Sequence, residues 1–445
     1  MPRPPSTSRR VEPWALAIAS VLALGCRGED LSNDCDYQGQ VYFQTVEGEV
    51  TDLLSPVPDR GPYPVALQLT EEGINRLLGG AVADQDVPFA GTLPLGFATA
   101  EFEPTSDPVI ELTDLPTCRR CILFNLQFNI DLYSGDNPIS SGPGNVTLSI
   151  PLRLESDEAA GESTLLADYS QAKIESMFLF VYGIDSNEHE VLAGALAVLL
   201  TEQIQEQFDT VELLKIGSWQ IGEGDVTLLA RELFVLPEDD KLVLGMQTNL
   251  PLPADAGLDM AGPLPAGIPM AVSMDTKLFL TMSHRMFDEG KIPRRYDDNG
   301  NPDPDGLYGV TLSSMTGSET GSPKLDTTFR VWRTTDGYCG FAEALMPLNV
   351  TVNNTATGID ITPGDATVVD GEGYGVGALQ DPQLVEDNQG LVKNFRDSLA
   401  DAVGTTINYD ALDLEGSTII FAVREVAVDT ASINSYLDFA VYADE

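Results

Sequence analysis

The stretch CILFNLQFNIDLY, residues 121–133, alternates apolar and polar side chains almost without a break. Ile122, Phe124, Leu126, Phe128, Ile130 and Leu132 share one face, and Asn125, Gln127, Asn129 and Asp131 share the other. Side chains along a strand point to alternate faces, so this pattern predicts a long half-buried strand of an antiparallel sheet. A helix would scatter the same six apolar residues around its circumference. NVTLSIPLRLE, residues 145–155, repeats the pattern with Val146, Leu148, Ile150, Leu152 and Leu154.

Other stretches change period. In residues 191–208, Leu192, Leu196, Leu199, Leu200, Ile204 and Phe208 recur at helical spacing, which predicts a long amphipathic helix. Upstream, Val65, Leu67 and Leu69 alternate as a strand, and Thr70 is placed to cap a helix carrying Ile74, Leu77, Leu78 and Val82. This order recurs after a Pro/Gly-rich linker at 251–269. There, residues 270–290 read as a strand and a helix with Leu278, Met282 and Met286 as its stripe. A later helix carries Val392, Phe395, Leu399 and Val403. Near the end of each half an apolar run leads into Arg-Glu, at Arg231-Glu232 and at Arg424-Glu425. Strand, helix, sheet, late helix and closing strands thus appear twice, the expectation for a duplicated module.

VALQLTEEGINRLLGG (65–80) and AVSMDTKLFLTMSHRMFDEGKI (271–292) resemble the opening strand and helix of the two modules of tubular lipid-binding (TULIP) proteins. That is the superfamily of bactericidal/permeability-increasing protein. The resemblance spans roughly residues 60–445, by element order more than by identity. It implies an α+β fold of two tandem modules, elongated overall, each a long bent antiparallel sheet wrapped around helices. It also implies an apolar groove that binds phospholipid or another acyl-chain lipid without catalysis. The groove would be lined by Ile122, Phe124, Leu126, Phe128, Ile130, Leu148, Ile150, Leu192, Leu196, Leu199, Ile204 and Phe208 in the first module, and by Leu278, Met282 and Met286 in the second. The rival for each of these residues is ordinary core.

Arg3, Arg9 and Arg10 precede WALAIASVLALGC, an apolar run too short to cross a bilayer. Its end at Cys26 resembles a bacterial lipoprotein signal, although Ala23 and Leu24 depart from the usual pattern. The expected organisation is a signal peptide at 1–25, a flexible acidic linker at 26–60, and modules at 61–256 and 257–445. The expected location is outside the cytoplasm, lipid-anchored through Cys26 to a bacterial membrane, at the outer membrane or cell surface. Ordinary secretory cleavage beside Cys26 is the alternative.

Export implies an oxidising compartment, where Cys35, Cys118, Cys121 and Cys339 allow three pairings. Cys118 and Cys121 form a CxxC without a thioredoxin-like context, so a structural disulfide is expected. Acidic residues outnumber basic ones 69 to 24, which argues against nucleic acid as a partner. No protein partner is indicated. GxSxG, HExxH, P-loop and dinucleotide fingerprints are missing, and His189 and His284 are the only histidines, so no enzyme is expected. No cofactor is required. Calcium is the one ion the composition admits, at Asp297, Asn299, Asn301, Asp303 and Asp305, against a solvated turn as the alternative. The loop departs from an EF-hand, since the position that should be Glu is Leu312. The competing role is a surface structural or adhesion lipoprotein with a filled groove and a calcium-stabilised loop.

Overall fold

The computed structural model describes residues 35–49, 63–84, 91–94, 98–106, 108–183, 185–207, 210–217, 219–220, 227–250, 252–253, 256–318, 322–335, 338–375, 388–403, 407–408, 412–413 and 417–443. The alternating stretches are strands. Cys118–Ser134 and Asn137–Asp157 form one antiparallel hairpin, with Ile122 opposite Ile150 and Phe124 opposite Leu148. The second strand has 21 residues. At about 3.3 Å per residue its contour is about 70 Å. It serves two neighbourhoods, pairing with Lys173–Leu179 along 144–149 and with Glu162–Asp168 along 152–157. In the second half, Tyr308–Gly317, Lys324–Thr335 and Tyr338–Val352 form the matching antiparallel sheet.

A seven-stranded sheet joins the halves. Its order is Trp219–Gln220, Thr227–Leu236, Lys241–Thr248, Val65–Thr70, Met270–Asp275, Ser432–Ala443 and Ser417–Val428. Each opening strand lies beside the last strand of its half, and that strand lies beside the one before it. The two opening strands meet at the centre, Leu67 opposite Val272. Both run directly into helices. Thr70 caps Glu71–Asp84, its Oγ1 accepting from Gly73 N at 3.2 Å, and Asp275 caps Thr276–Asp288 by accepting from Lys277 N at 2.8 Å. Leu67, Leu69, Leu242, Leu244, Met270, Val272 and Met274 are fully buried on one face and belong to an apolar core that continues into both halves.

The Arg-Glu pairs fall at matching irregularities. The register skips from Ala230 to Glu232 on one strand and from Val423 to Glu425 on the other. An extra residue of this kind makes a β-bulge, which bends the strand and increases its twist.

Part of the stretch expected as a flexible linker is a helix, Cys35–Glu49, and it packs on the second half. Tyr42 is buried with its ring 5.9 Å from Trp332. Gly309 makes room for it, because a Cβ there would stand 2.6 Å from that ring. Among the described side chains of this helix, Gln38, Tyr42 and Glu49 are the buried ones, and they form no apolar stripe for a periodicity to reveal. The halves also exchange strands: Leu412–Asp413 pairs with Thr210–Ile216.

Candidate functional site

In the first half, Ile122, Phe124, Leu126, Phe128 and Ile130 are all buried on the inner face of the hairpin, with Leu148 and Ile150 opposite. Gly144 lets the Phe128 ring lie on the backbone, since a Cβ would come within 2.5 Å of it. The late helix, Ser186–Gln207, rests on Lys173–Leu179 and on the turn Tyr169–Gln171. Gln205 Nε2 donates to Ala172 O at 2.9 Å, and His189 Nε2 lies 2.8 Å from Val181 O. Leu192 and Leu196 are buried, while Leu199 and Ile204 are half-buried against the same core. Phe208 and Cys26 lie outside the described residues.

The late helix is not amphipathic in the expected way. Val191 is 74% exposed and Val198 60% exposed, so apolar side chains occupy its outer face as well. Phe178, Phe180 and Tyr182 are exposed nearby, with Phe180 edge-on to Tyr182 at 5.3 Å. Leu192 and Leu196 face the core at helical spacing, and Val191 and Val198 stand on the opposite side.

Leu278, Met282 and Met286 sit elsewhere, fully buried in the opening helix of the second half against Tyr308–Gly317. Phe395 of the second late helix, Gln389–Val403, stacks on Phe287 at 6.2 Å and tilts against Phe329 at 4.9 Å. The named apolar residues therefore lie in both halves of one continuous core, and in the second half aromatic rings pack directly on each other.

Among the described residues, no group of three or more His, Cys, Asp or Glu is arranged to hold a metal ion. Asp297 spends its carboxylate on its own loop. Oδ1 accepts from Asn299 N and Asn301 N at 2.8 Å each, and Oδ2 accepts from Asn301 Nδ2 at 3.2 Å. These bonds hold its carboxyl below the usual range. Asp303 accepts from Asp305 N at 3.0 Å. The loop docks on the second late helix, where Asn394 Nδ2 donates to Gly300 O at 2.5 Å.

Cys118 and Cys121 are joined as a disulfide, closed by a turn in which Arg120 holds a φ of +58°. Cys339 is also disulfide-bonded.

One buried polar cluster carries no sequence signature. Glu49 Oε2 accepts from Arg294 at 2.5 Å, Arg294 also reaches Asp288 at 3.1 Å, and His284 Nε2 is 3.9 Å from Glu49 Oε1. Burial outweighs the pull of the guanidinium and pushes the Glu49 carboxyl up to about 7; burial lowers His284. Glu49 is far in the chain from His284, Asp288 and Arg294 and meets them only when the N-terminal helix docks. No described helix is long and apolar enough to cross a membrane.

No family model matches the sequence, and neither does any curated protein. The chain is similar in structure to lipopolysaccharide binding protein and to P47 of Clostridium botulinum. With lipopolysaccharide binding protein the identity is 11% and the TM-score 0.36, over 86% of this chain and 100% of that one. With P47 of Clostridium botulinum E1 the identity is 10% and the TM-score 0.41, over 84% of this chain and 98% of that one. With P47 from Clostridium botulinum A2 they are 11% and 0.46, over 84% and 97%.

Proposed function

We propose that this is a TULIP-type protein of two duplicated modules that binds an acyl-chain lipid between the long hairpin and the late helix of its first half, without catalysis. The late helix carries this reading. Between residues 191 and 200 it is apolar on every side, with Leu192 and Leu196 inward and Val191 and Val198 outward, and Leu199 and Ile204 are only half-buried. A helix that covers a long apolar sheet this loosely can exchange side-chain contacts for acyl methylenes, each worth about 0.8 kcal/mol on burial. The matched order around the two opening strands, and the paired bulges at Arg231 and Arg424, support the duplication.

Anchoring through an acylated Cys26, and location at an outer membrane or cell surface, are part of the same proposal, supported by the basic–apolar–Cys order of the first 26 residues. The ligand named in lipopolysaccharide binding protein is not carried over. Its phosphates would meet a chain with a formal net charge of −45, so a neutral or zwitterionic lipid fits better.

Protein purified under mild conditions should carry acyl-lipid mass by native mass spectrometry, and delipidated protein should take up a fluorescent zwitterionic phospholipid. Leu199→Trp should lower lipid stoichiometry while the melting transition stays cooperative. No lipid bound, no uptake, and a Leu199→Trp effect on stability alone would support the structural or adhesion role instead. Cys26→Ser should release the protein from membranes; a wild type without acyl mass at Cys26 would remove the anchor from the proposal.

A further inference from the structure

The central sheet has a second face, and a buried polar row crosses it. Gln68, Lys241, Ser273 and Asn434 come from four adjacent strands and form a chain of hydrogen bonds across it. Lys241 Nζ donates to Gln68 Oε1 at 2.8 Å, Gln68 Nε2 to Ser273 Oγ at 2.8 Å, and Ser273 Oγ to Asn434 Oδ1 at 2.6 Å. The linker at 256–268 lies over this row as a strap. Lys241 Nζ also donates to Gly262 O at 2.5 Å, and Gly257 N donates to Asp275 Oδ2 at 2.6 Å. Between strap and sheet is a pocket of about 240 Å³. At about 30 Å³ per water it has room for roughly eight waters, or for a molecule of about a dozen heavy atoms.

The walls of the pocket restrict what it can hold. Lys241 is buried, and its ammonium has three hydrogens but only two acceptors among the bonds above. Asp259 lines the rim, with one oxygen accepting from Ala261 N and the other unused by any described bond. Asp429 lines it as well, already accepting from Ala431 N and from Ser432 N and Oγ. An anion entering here would meet two carboxylates against one ammonium. A cation would meet the buried ammonium. The rest of the wall is amphipathic, with Tyr436 on one side and Pro263, Leu264 and Pro265 of the strap on another.

We infer that this pocket binds a neutral polyhydroxylated ring of monosaccharide size. Its C–H face would lie on Tyr436 and the prolines, while its hydroxyls would accept from Lys241 and donate to Asp259. Such a ligand supplies donors and acceptors together without adding charge to a buried site. The inference stands apart from the lipid reading, which concerns the opposite, apolar side of the fold.

The full chain should be titrated with methyl glucoside, methyl galactoside and methyl mannoside, and separately with inorganic phosphate and glycine, by two-dimensional NMR or calorimetry. Saturable millimolar binding of at least one glycoside is expected, with no saturation by phosphate or glycine. Asp259→Asn and Tyr436→Leu should each weaken it about tenfold or more with the melting temperature nearly unchanged. Because Asp259 is exposed, its variant keeps the test open if Tyr436→Leu misfolds. Glycosides that fail to saturate, preference for phosphate or glycine, or binding that Asp259→Asn does not weaken would each overturn the inference.

Discussion

Arg231 and Arg424 are the skipped residues of two matching bulges in the central sheet, and both reach outward into ion pairs. Arg231 lies 2.7 Å from Glu158, and Arg424 pairs with Asp438, which Arg76 of the first opening helix also contacts at 2.6 Å.

If the bulge is a backbone device, the side chain should matter little and the residue itself should matter a great deal. Arg424 is 63% exposed, and exposed ion pairs contribute about 0–1 kcal/mol, so Arg424→Ala should cost less than about 1 kcal/mol by chemical denaturation. Deleting Arg424 should cost more. It removes the bend and added twist of the bulge while Glu425 stays opposite Tyr436 and Val426 opposite Ser435, so the ladder survives but its curvature is lost. A lowered melting temperature in the deletion, with near-neutrality of the alanine variant, is the expected pair of outcomes.

The docking of the N-terminal helix should depend on pH through Glu49. Its carboxyl ordinarily titrates near 4.5 and is pushed up to about 7 when buried. Between those values the folded protein holds a proton that the unfolded chain releases, so the contribution favours folding least above pH 7 and is progressively lost as pH rises from 4.5 to 7. The full difference is at most about 3 kcal/mol. Amide exchange in residues 35–49 should therefore be slower at the acidic end of this window, relative to the variant Glu49→Gln. If the wild type and Glu49→Gln respond alike to pH, Glu49 is not the titrating group.

Gly144 should tolerate no side chain while Phe128 keeps its size. A Cβ at 144 would stand 2.5 Å from the Phe128 ring and 2.8 Å from Leu179. Overpacking of this kind costs about 1–3 kcal/mol, so Gly144→Ala should lower the melting temperature. Adding Phe128→Leu should recover much of the loss, and a strictly additive double variant would contradict the contact.

The Asp297 loop should behave as a turn. Asp297→Ala removes the acceptor of three internal hydrogen bonds and should destabilise the loop against Gln389–Val403. Added millimolar calcium should leave the melting temperature of the wild type unchanged. A calcium-dependent rise that disappears in Asp303→Asn with Asp305→Ala would restore a metal role for these residues.

Much of this architecture was legible because it follows local periods. The alternation from Ile122 to Leu132 survives as a single buried face, and Thr70 caps the helix it precedes. The Arg-Glu echo marked a real feature, although nothing in the letters says that the arginine is unpaired in a ladder. The seat of Cys35–Glu49 was not legible, since it depends on one aromatic, Tyr42, meeting Trp332 nearly three hundred residues away. The pocket was hidden for a related reason. Gln68, Lys241, Ser273 and Asn434 are unremarkable polar residues within their own strands, and only the strand order brings them into one row.

That strand order also constrains when the chain can become native. Val65–Thr70 is made early, but its neighbours are Lys241–Thr248 and Met270–Asp275, and the outer strands of the same sheet end at 428 and 443. The Cys35–Glu49 helix leaves the ribosome earlier still, yet its dock is built from Lys324–Thr335 and Tyr338–Val352. Contacts so distant in sequence close slowly, because loop entropy is lost before any contact repays it. The segment made first is therefore seated among the last. A chain that ends before residue 338 lacks part of that helix's dock.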